Sequence, residues 1–324
     1  MSSLPPIETT TPGISTIAVI GAGAWGSTLA TLIKRRGYEV RIWSRRNPTP
    51  LQSALEGAEI IISAVSMTGV RAIVEQVQAL DLAPNTILVS ATKGLDASSG
   101  TATQLPLLPS QIWQAAFPHH PVIVLSGPNL SEEIQQGLPA ATVIAGTNQA
   151  ATNTIQLTLS SHSFRVYTNP DGLGVELGGI LKNVIAIAVG ACDGLKLGTN
   201  AKAALVTRGL AEIIRVGNYW GAKSETFYGL SGLGDLLATC NSSLSRNYQV
   251  GYGLAQGRSL EHVLASLAGT AEGVNTASVL VRLAAQQHIE VPISQQVHQL
   301  LLGKITPQAA VEALMLRDYK AEVS

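Results

Sequence analysis

Between Ser15 and Val166, short runs of β-branched and aliphatic residues alternate with longer stretches in which apolar side chains recur every three or four positions. That alternation is the pattern of βαβ units around a parallel sheet. The runs predict strands at Thr16–Ile20, Val40–Trp43, Ile60–Ala64, Ile87–Ala91, Val122–Leu125 and Thr142–Ala145. Most are apolar throughout, as strands covered by helices on both faces must be. After Asn169 and Pro170 the β-branched runs stop and helical periodicity takes over. It predicts helices at Val175–Cys192, Ala201–Tyr219, Leu233–Cys240, Tyr248–Gln256, Leu260–Leu267, Asn275–Gln287 and Ile293–Leu302, and a last one with Thr306 as N-cap and Pro307 in its first turn. The fold class expected is α/β: an N-terminal, Rossmann-like, doubly wound and mostly parallel sheet over residues 15–168, followed by an all-helical domain over 169–324. Residues 1–14, rich in Ser, Thr and Pro, read as a flexible tail rather than a signal peptide, with no basic start and no apolar core.

Composition narrows the function. The chain of 324 residues balances 21 basic against 21 acidic side chains, with 13% charged. Such a surface has no broad attraction for a phosphate backbone or an anionic bilayer, so no nucleic-acid partner is expected. The 46% hydrophobic fraction is spread in short pieces, the longest near Asn183 to Cys192, below the roughly 20 residues of a spanning helix. No membrane insertion is therefore expected. Cys192 and Cys240 stand alone and far apart, which fits a reducing, cytoplasmic location. The six histidines show no metal-ligand spacing, and no metal is expected.

Directly after the first predicted strand stands Gly21-Ala22-Gly23-Ala24-Trp25-Gly26, followed by a helical run from Ser27 to Lys34. Gly21 permits the tight turn, Gly23 lets a pyrophosphate approach the backbone, and Gly26 lets helix and strand pack closely. The anion would sit among the free N–H groups of a helix start, which marks residues 15–168 as a dinucleotide-binding domain. The next strand ends in Trp43-Ser44-Arg45-Arg46, where an NAD enzyme usually carries an acidic residue for the ribose 2′-hydroxyl. Two readings stand for Arg45 and Arg46: a guanidinium pairing with a 2′-phosphate, which prefers NADP(H) while leaving NAD(H) usable, or solvated loop charges.

Six further segments follow: Ser90-Ala91-Thr92-Lys93-Gly94, Ser126-Gly127-Pro128-Asn129, the run from Leu177 to Asn183, the run from Gly198 to Gly209, the run from Gly229 to Asp235, and Ser245-Arg246-Asn247. In this order the chain resembles the bacterial-type NAD(P)-dependent glycerol-3-phosphate dehydrogenases over nearly its whole length after the tail. Two departures stand out. The family carries a longer segment, with an Asn and a Tyr-Leu-Pro-Gly stretch, between the second and third strands, where this chain has only Arg46 to Ala58. The family's Ser or Thr two residues after the glycine of Ser-Gly-Pro is Asn129 here.

The resemblance implies the site. Lys182 becomes the proton acceptor and Lys93 a substrate contact, with Asn183 and Asp235 orienting the polar end of the substrate. Gly127 and Asn129 join the substrate site, and Ser245, Arg246 and Asn247 the site of its phosphate. Ala24, Trp25, Lys93, Ser131, Arg246 and Glu272 join Gly21, Gly23, Gly26, Arg45 and Arg46 on the cofactor. Residue patterns alone leave blander readings. Gly179, three residues before Lys182 on the same face, leaves room for a ligand beside the ammonium, whereas by periodicity alone Lys182 is a lysine snorkelling at a helix edge. Ser245 to Asn247 equally make an N-capping loop with a surface arginine. Gly229, Gly232 and Gly234 serve close backbone approach or helix packing, and Glu272 is otherwise an ordinary loop acid.

The expected activity is hydride transfer between NAD(P)H and dihydroxyacetone phosphate, forming sn-glycerol 3-phosphate for glycerophospholipid synthesis. Its partner is a small-molecule substrate, and a homodimer is compatible with the sequence. Two alternatives are another β-hydroxyacid-type dehydrogenase on the same plan and a nonenzymatic NADP(H)-binding sensor. The first would take a carboxylate clamp in place of Arg246, and the second would have no use for Lys93 and Lys182.

Overall fold

The structure is a computed structural model that describes residues 11, 13–46, 48–100, 105–318 and 321–322. The tail expected over 1–14 lies almost wholly outside them. Seven strands, β1 (Thr16–Ile20), β2 (Glu39–Trp43), β3 (Ile60–Ser63), β4 (Ile87–Ser90), β5 (Val122–Ser126), β6 (Ala140–Ala145) and β7 (Phe164–Asn169), form one sheet in the order β2-β1-β3-β4-β5-β6-β7. All neighbours are parallel except β5 and β6. The helices threaded between them are α1 (Ala24–Arg35), α2 (Leu51–Leu55), α3 (Met67–Gln78), α4 (Pro109–Ala116), α5 (Ser131–Gln135) and α6 (Gln149–Leu159). One face of the sheet buries Ile17, Val19, Ile60, Ile62, Val89 and Ile123 under α1 and α6. The other buries Ala18, Ile20, Ile61 and Leu88 under α2, α3 and α4. Strands buried on both faces are what the continuous apolar runs require.

β7 lies outside the predicted strands. It is one edge of the sheet, opposite β2, with Phe164 and Val166 buried while Arg165 and Tyr167 are exposed, so its sequence alternates instead of running apolar. β6 turns antiparallel because the link from β5 holds only the five-residue α5, too little for a crossover helix spanning the sheet.

Beyond β7 the chain is helical: α7 (Gly172–Gly194), α8 (Gly198–Tyr219), α9 (Ser224–Phe227), a π-turn at Leu230–Gly234, α10 (Asp235–Cys240), α11 (Arg246–Ala255), α12 (Leu260–Ser266), α13 (Glu272–Gln287), α14 (Pro292–Leu301) and α15 (Pro307–Met315). Asp171 caps α7 by accepting the Gly174 N–H. α7 is longer than its predicted span. By length and composition it could cross a bilayer, but 94% of its most apolar stretch is buried inside the protein. A helix apolar all round is either a core helix or a membrane span, and α8, α10, α11 and α13 wrap this one. Two residues of the sheet domain, Leu95 and Leu108, sit in the same core, so the segment after β4 is anchored to the helices.

Candidate active site

The carboxyl ends of β1 and β2 lie side by side, with Ile20 in register with Trp43. Gly21 turns there at φ +114°, and its N–H donates to the Trp43 carbonyl at 2.8 Å. A Cβ on Gly21 would stand 2.6 Å from the Ala64 carbonyl oxygen, and one on Gly26 would overlap the Gly21 carbonyl at 1.9 Å. Both close approaches expected of the motif are therefore present. Gly23 is the N-cap of α1; no side chain caps the helix, and the space around Gly23 is open. The first-turn amides of Ala24, Trp25 and Gly26 thus point into room that suits an anionic phosphate. Arg45 and Arg46 follow Trp43 and are exposed at the same edge. Ser131 opens α5 on the far side of α1, where its carbonyl takes the Thr28 hydroxyl at 3.5 Å.

A second cluster forms where the sheet domain meets α7. Lys182 is 6% exposed, and its Nζ stands 2.9 Å from Oδ1 of Asp235, itself 2% exposed. Lys93 Nζ meets Oδ2 of the same carboxylate at 2.5 Å and donates to the Gly127 carbonyl at 3.1 Å. Lys182 also donates to Thr239 Oγ1, whose hydroxyl donates to Asp235 Oδ1 at 3.2 Å. Burial pulls the Lys182 ammonium down to about 8, with Asp235 resisting and Lys93 assisting the fall. Burial alone would raise Asp235; the two ammonium groups outweigh it and hold the carboxyl below its ordinary value.

Thr239 escapes a reading of motifs, although Asp235 and Thr239 are four apart on α10 and so share a face. The space expected beside Gly179 is not open. A Cβ there would come 2.3 Å from Ser126 Oγ and 3.3 Å from Lys93 Cε, so the glycine admits the Lys93 side chain against α7.

Asn183 and Asn247 come together behind this cluster. Asn247 Nδ2 donates to Asn183 Oδ1 at 2.9 Å, and Asn247 Oδ1 accepts the Gly273 N–H at 2.9 Å. Ser245 caps α11 by accepting the Tyr248 N–H at 3.2 Å, so the capping reading of that loop is realised. Arg246 remains exposed, running past Gly269. Its positive charge lowers the carboxyl of Glu272, which burial raises overall. Glu272 Oε1 accepts the Met67 N–H at 3.1 Å, tying the start of α13 to the start of α3. Gly127 sits at φ +139°, and Asn129 Nδ2 donates to Thr142 Oγ1 at 3.1 Å. Lys93, Gly127, Lys182 and Asp235 therefore meet at one point, with Asn183 next to Lys182 on α7 and hydrogen-bonded to Asn247; Arg45 and Arg46 stand apart at the sheet edge.

Known proteins match this chain over most of its length. Residues 16–50 and 47–152 match the profile of the NAD-dependent glycerol-3-phosphate dehydrogenase N-terminus, and residues 171–312 that of its C-terminus. An NAD(P)+ glycerol-3-phosphate dehydrogenase of Nostoc sp. is 63% identical over 308 residues, covering 95% of this chain and 98% of that protein. One from Gloeobacter violaceus is 55% identical over 306 residues, covering 94% and 98%. The crystal structure of glycerol-3-phosphate dehydrogenase from Coxiella burnetii superposes with a TM-score of 0.87 at 34% identity, over 94% of this chain and 100% of that one. The chain belongs to the NAD-dependent glycerol-3-phosphate dehydrogenase family.

Proposed function

We propose that this protein reduces dihydroxyacetone phosphate to sn-glycerol 3-phosphate, with NADP(H) preferred and NAD(H) accepted, and so supplies glycerophospholipid backbones. The observation that carries this reading is the pair of lysines on one buried carboxylate, Lys93 and Lys182 on Asp235. Two ammonium groups against one carboxylate leave a positive charge where an anionic substrate must dock. A bound nicotinamide would supply or accept the hydride. Lys182 would give its proton to the carbonyl oxygen in the reduction, and its neutral amine would take the hydroxyl proton in the oxidation. Lys93 and Asn183 orient the reacting end, helped by Gly127 and Asn129, while Asp235 keeps both lysines in place.

In the same reading Arg246 holds the substrate phosphate through two charge-assisted bonds, with Ser245 and Asn247 beside it at the start of α11. Gly21, Gly23, Ala24, Trp25 and Gly26 would hold the cofactor's pyrophosphate, Ser131, Lys93, Arg246 and Glu272 would contact it further along, and Arg45 and Arg46 would pair with a 2′-phosphate. We assign residues 15–168 to the cofactor and 169–324 to the substrate. The protein acts in the cytoplasm, without membrane insertion, and a homodimer is compatible with its sequence. Loss of nicotinamide absorbance with dihydroxyacetone phosphate, run with NADPH and NADH side by side, tests the reading. Turnover of a carboxylate substrate alone would favour a β-hydroxyacid dehydrogenase, and NADPH binding with no turnover a sensor.

A further inference from the structure

Glu176 lies on α7 before Lys182 and is 2% exposed. Six positions along an α-helix turn it about 120° around the axis from Lys182, away from the reacting cluster. Its Oε1 accepts the Ser110 N–H at 2.9 Å, and its other oxygen accepts the Ser110 hydroxyl. Ser110 is in the first turn of α4, so a carboxylate on the lysine-bearing helix caps a helix of the sheet domain.

That cap closes a segment already tied at its other end. Lys93 follows β4 by three residues, and two residues later Leu95 enters the core of the helical domain. Asn275 Nδ2 donates to the Leu95 carbonyl at 3.1 Å. Leu108, just before α4, enters the same core. The contact is costly: burial pushes the Glu176 carboxyl up to about 7, opposed only by its two bonds to Ser110. An apolar side chain would avoid that cost, so the polar contact fits a place where geometry matters more than stability.

We propose that Glu176 is a positioning residue for the reaction. By capping α4 from α7 it holds the Lys93 segment against the lysine-bearing helix, so that Lys93 and Lys182 stay on the same carboxylate. The inference rests on the reading of the site given under the proposed function.

Two substitutions test it. Glu176→Leu keeps the approximate volume and removes both hydrogen bonds. Glu176→Gln keeps an acceptor for the Ser110 N–H and a donor for its hydroxyl. The Leu variant is expected to show a raised KM for dihydroxyacetone phosphate and a fall in kcat/KM of about tenfold, the scale of one hydrogen bond, with NADPH binding stoichiometry unchanged and NADPH affinity titrated separately, because Lys93 also stands on the proposed cofactor path. The Gln variant is expected to regain most of that loss. A purely structural role would lower kcat through fewer active molecules and leave KM alone. On the same samples, amide hydrogen exchange over residues 91–96 should speed up in the Leu variant and not in the Gln variant.

The exchange measurement needs no substrate. If the wild type fails to reduce dihydroxyacetone phosphate, the functional reading falls while exchange still decides the clamp. A Leu variant with wild-type KM and wild-type exchange overturns the proposal. If that variant does not fold, Ser110→Ala removes only the hydroxyl partner and is read in the same two ways, with smaller changes expected and unchanged values again overturning it.

Discussion

The Lys182 ammonium stands 2.9 Å from Oδ1 of Asp235, and the opposite oxygen of that carboxylate is held by Lys93. Burial and Lys93 both lower Lys182, Asp235 raises it, and the balance is about 8. Reduction needs the ammonium and oxidation the free amine. The rate of ketone reduction should therefore fall as pH rises through about 8, while oxidation of glycerol 3-phosphate rises over the same range. Asp235→Asn removes the group that favours the ammonium, so the limb should move to lower pH in both directions. Initial rates from pH 6 to 10 check this, and a limb that stays in place would show that another group sets it.

Replacing Lys182 with Met keeps the chain length and takes away the proton carrier. The value of kcat should fall by roughly 10² to 10⁴, the range of general acid–base catalysis, while NADPH binding measured by fluorescence titration is retained. Turnover near the wild-type rate would remove Lys182 from the chemistry.

Arg45 and Arg46 are exposed two and three residues beyond Trp43, the strand end that flanks Gly21. If they pair with the 2′-phosphate, changing both to Ala should lower kcat/KM with NADPH and leave the NADH value nearly unchanged. An unaltered ratio between the two cofactors would make them solvated charges.

Glu176 gives a stability test with a fixed sign. Its folded carboxyl titrates at about 7 against an ordinary 4.5, so its contribution is fully present below about 4.5 and is lost as pH rises through 7. Glu176→Gln has nothing to titrate there. Relative to the wild type, the Gln variant should gain stability between pH 5 and 8, by at most about 3 kcal/mol for a shift of this size. Urea unfolding of both proteins at each pH reads the difference, and the other buried glutamates cancel in it.

The parts of this molecule visible in the sequence are those encoded over short distances. Strands such as Ile60–Ser63 read as apolar runs because both faces are covered, and the turn at Gly21 reads as a motif because its three glycines stand within six residues, although Gly21 itself closes against the distant Trp43 and Ala64. β7 has no apolar run, because Phe164 and Val166 turn inward while Arg165 and Tyr167 turn outward. The bonds from Lys182 to Thr239 and from Glu176 to Ser110 join residues 57 and 66 positions apart, and no local pattern announces such pairs. Gly179 reads in the sequence as room for a ligand beside the Lys182 ammonium, and that room is filled by Ser126 and Lys93. Lys93 is brought there by a segment whose path depends on Leu95 and Leu108 finding the helical core.

Arg246 carries the most specific prediction about the substrate. It opens α11 directly after the Ser245 cap, is exposed, runs past Gly269 and acts on the Glu272 carboxyl through its charge. A planar guanidinium can match two phosphate oxygens in parallel, which an ammonium cannot do. Arg246→Lys should keep the charge and still lower kcat/KM for dihydroxyacetone phosphate by roughly 10 to 200-fold, the equivalent of one charge-assisted bond of about 1.5 to 3 kcal/mol. Dihydroxyacetone, which has no phosphate, is the control, and wild type and variant should use it equally poorly. NADPH affinity needs its own titration, because Arg246 also stands near Glu272 on the proposed cofactor path. An equal loss toward both ketones, or a fall in NADPH affinity large enough to explain it, would assign Arg246 to the cofactor and leave the phosphate to other residues.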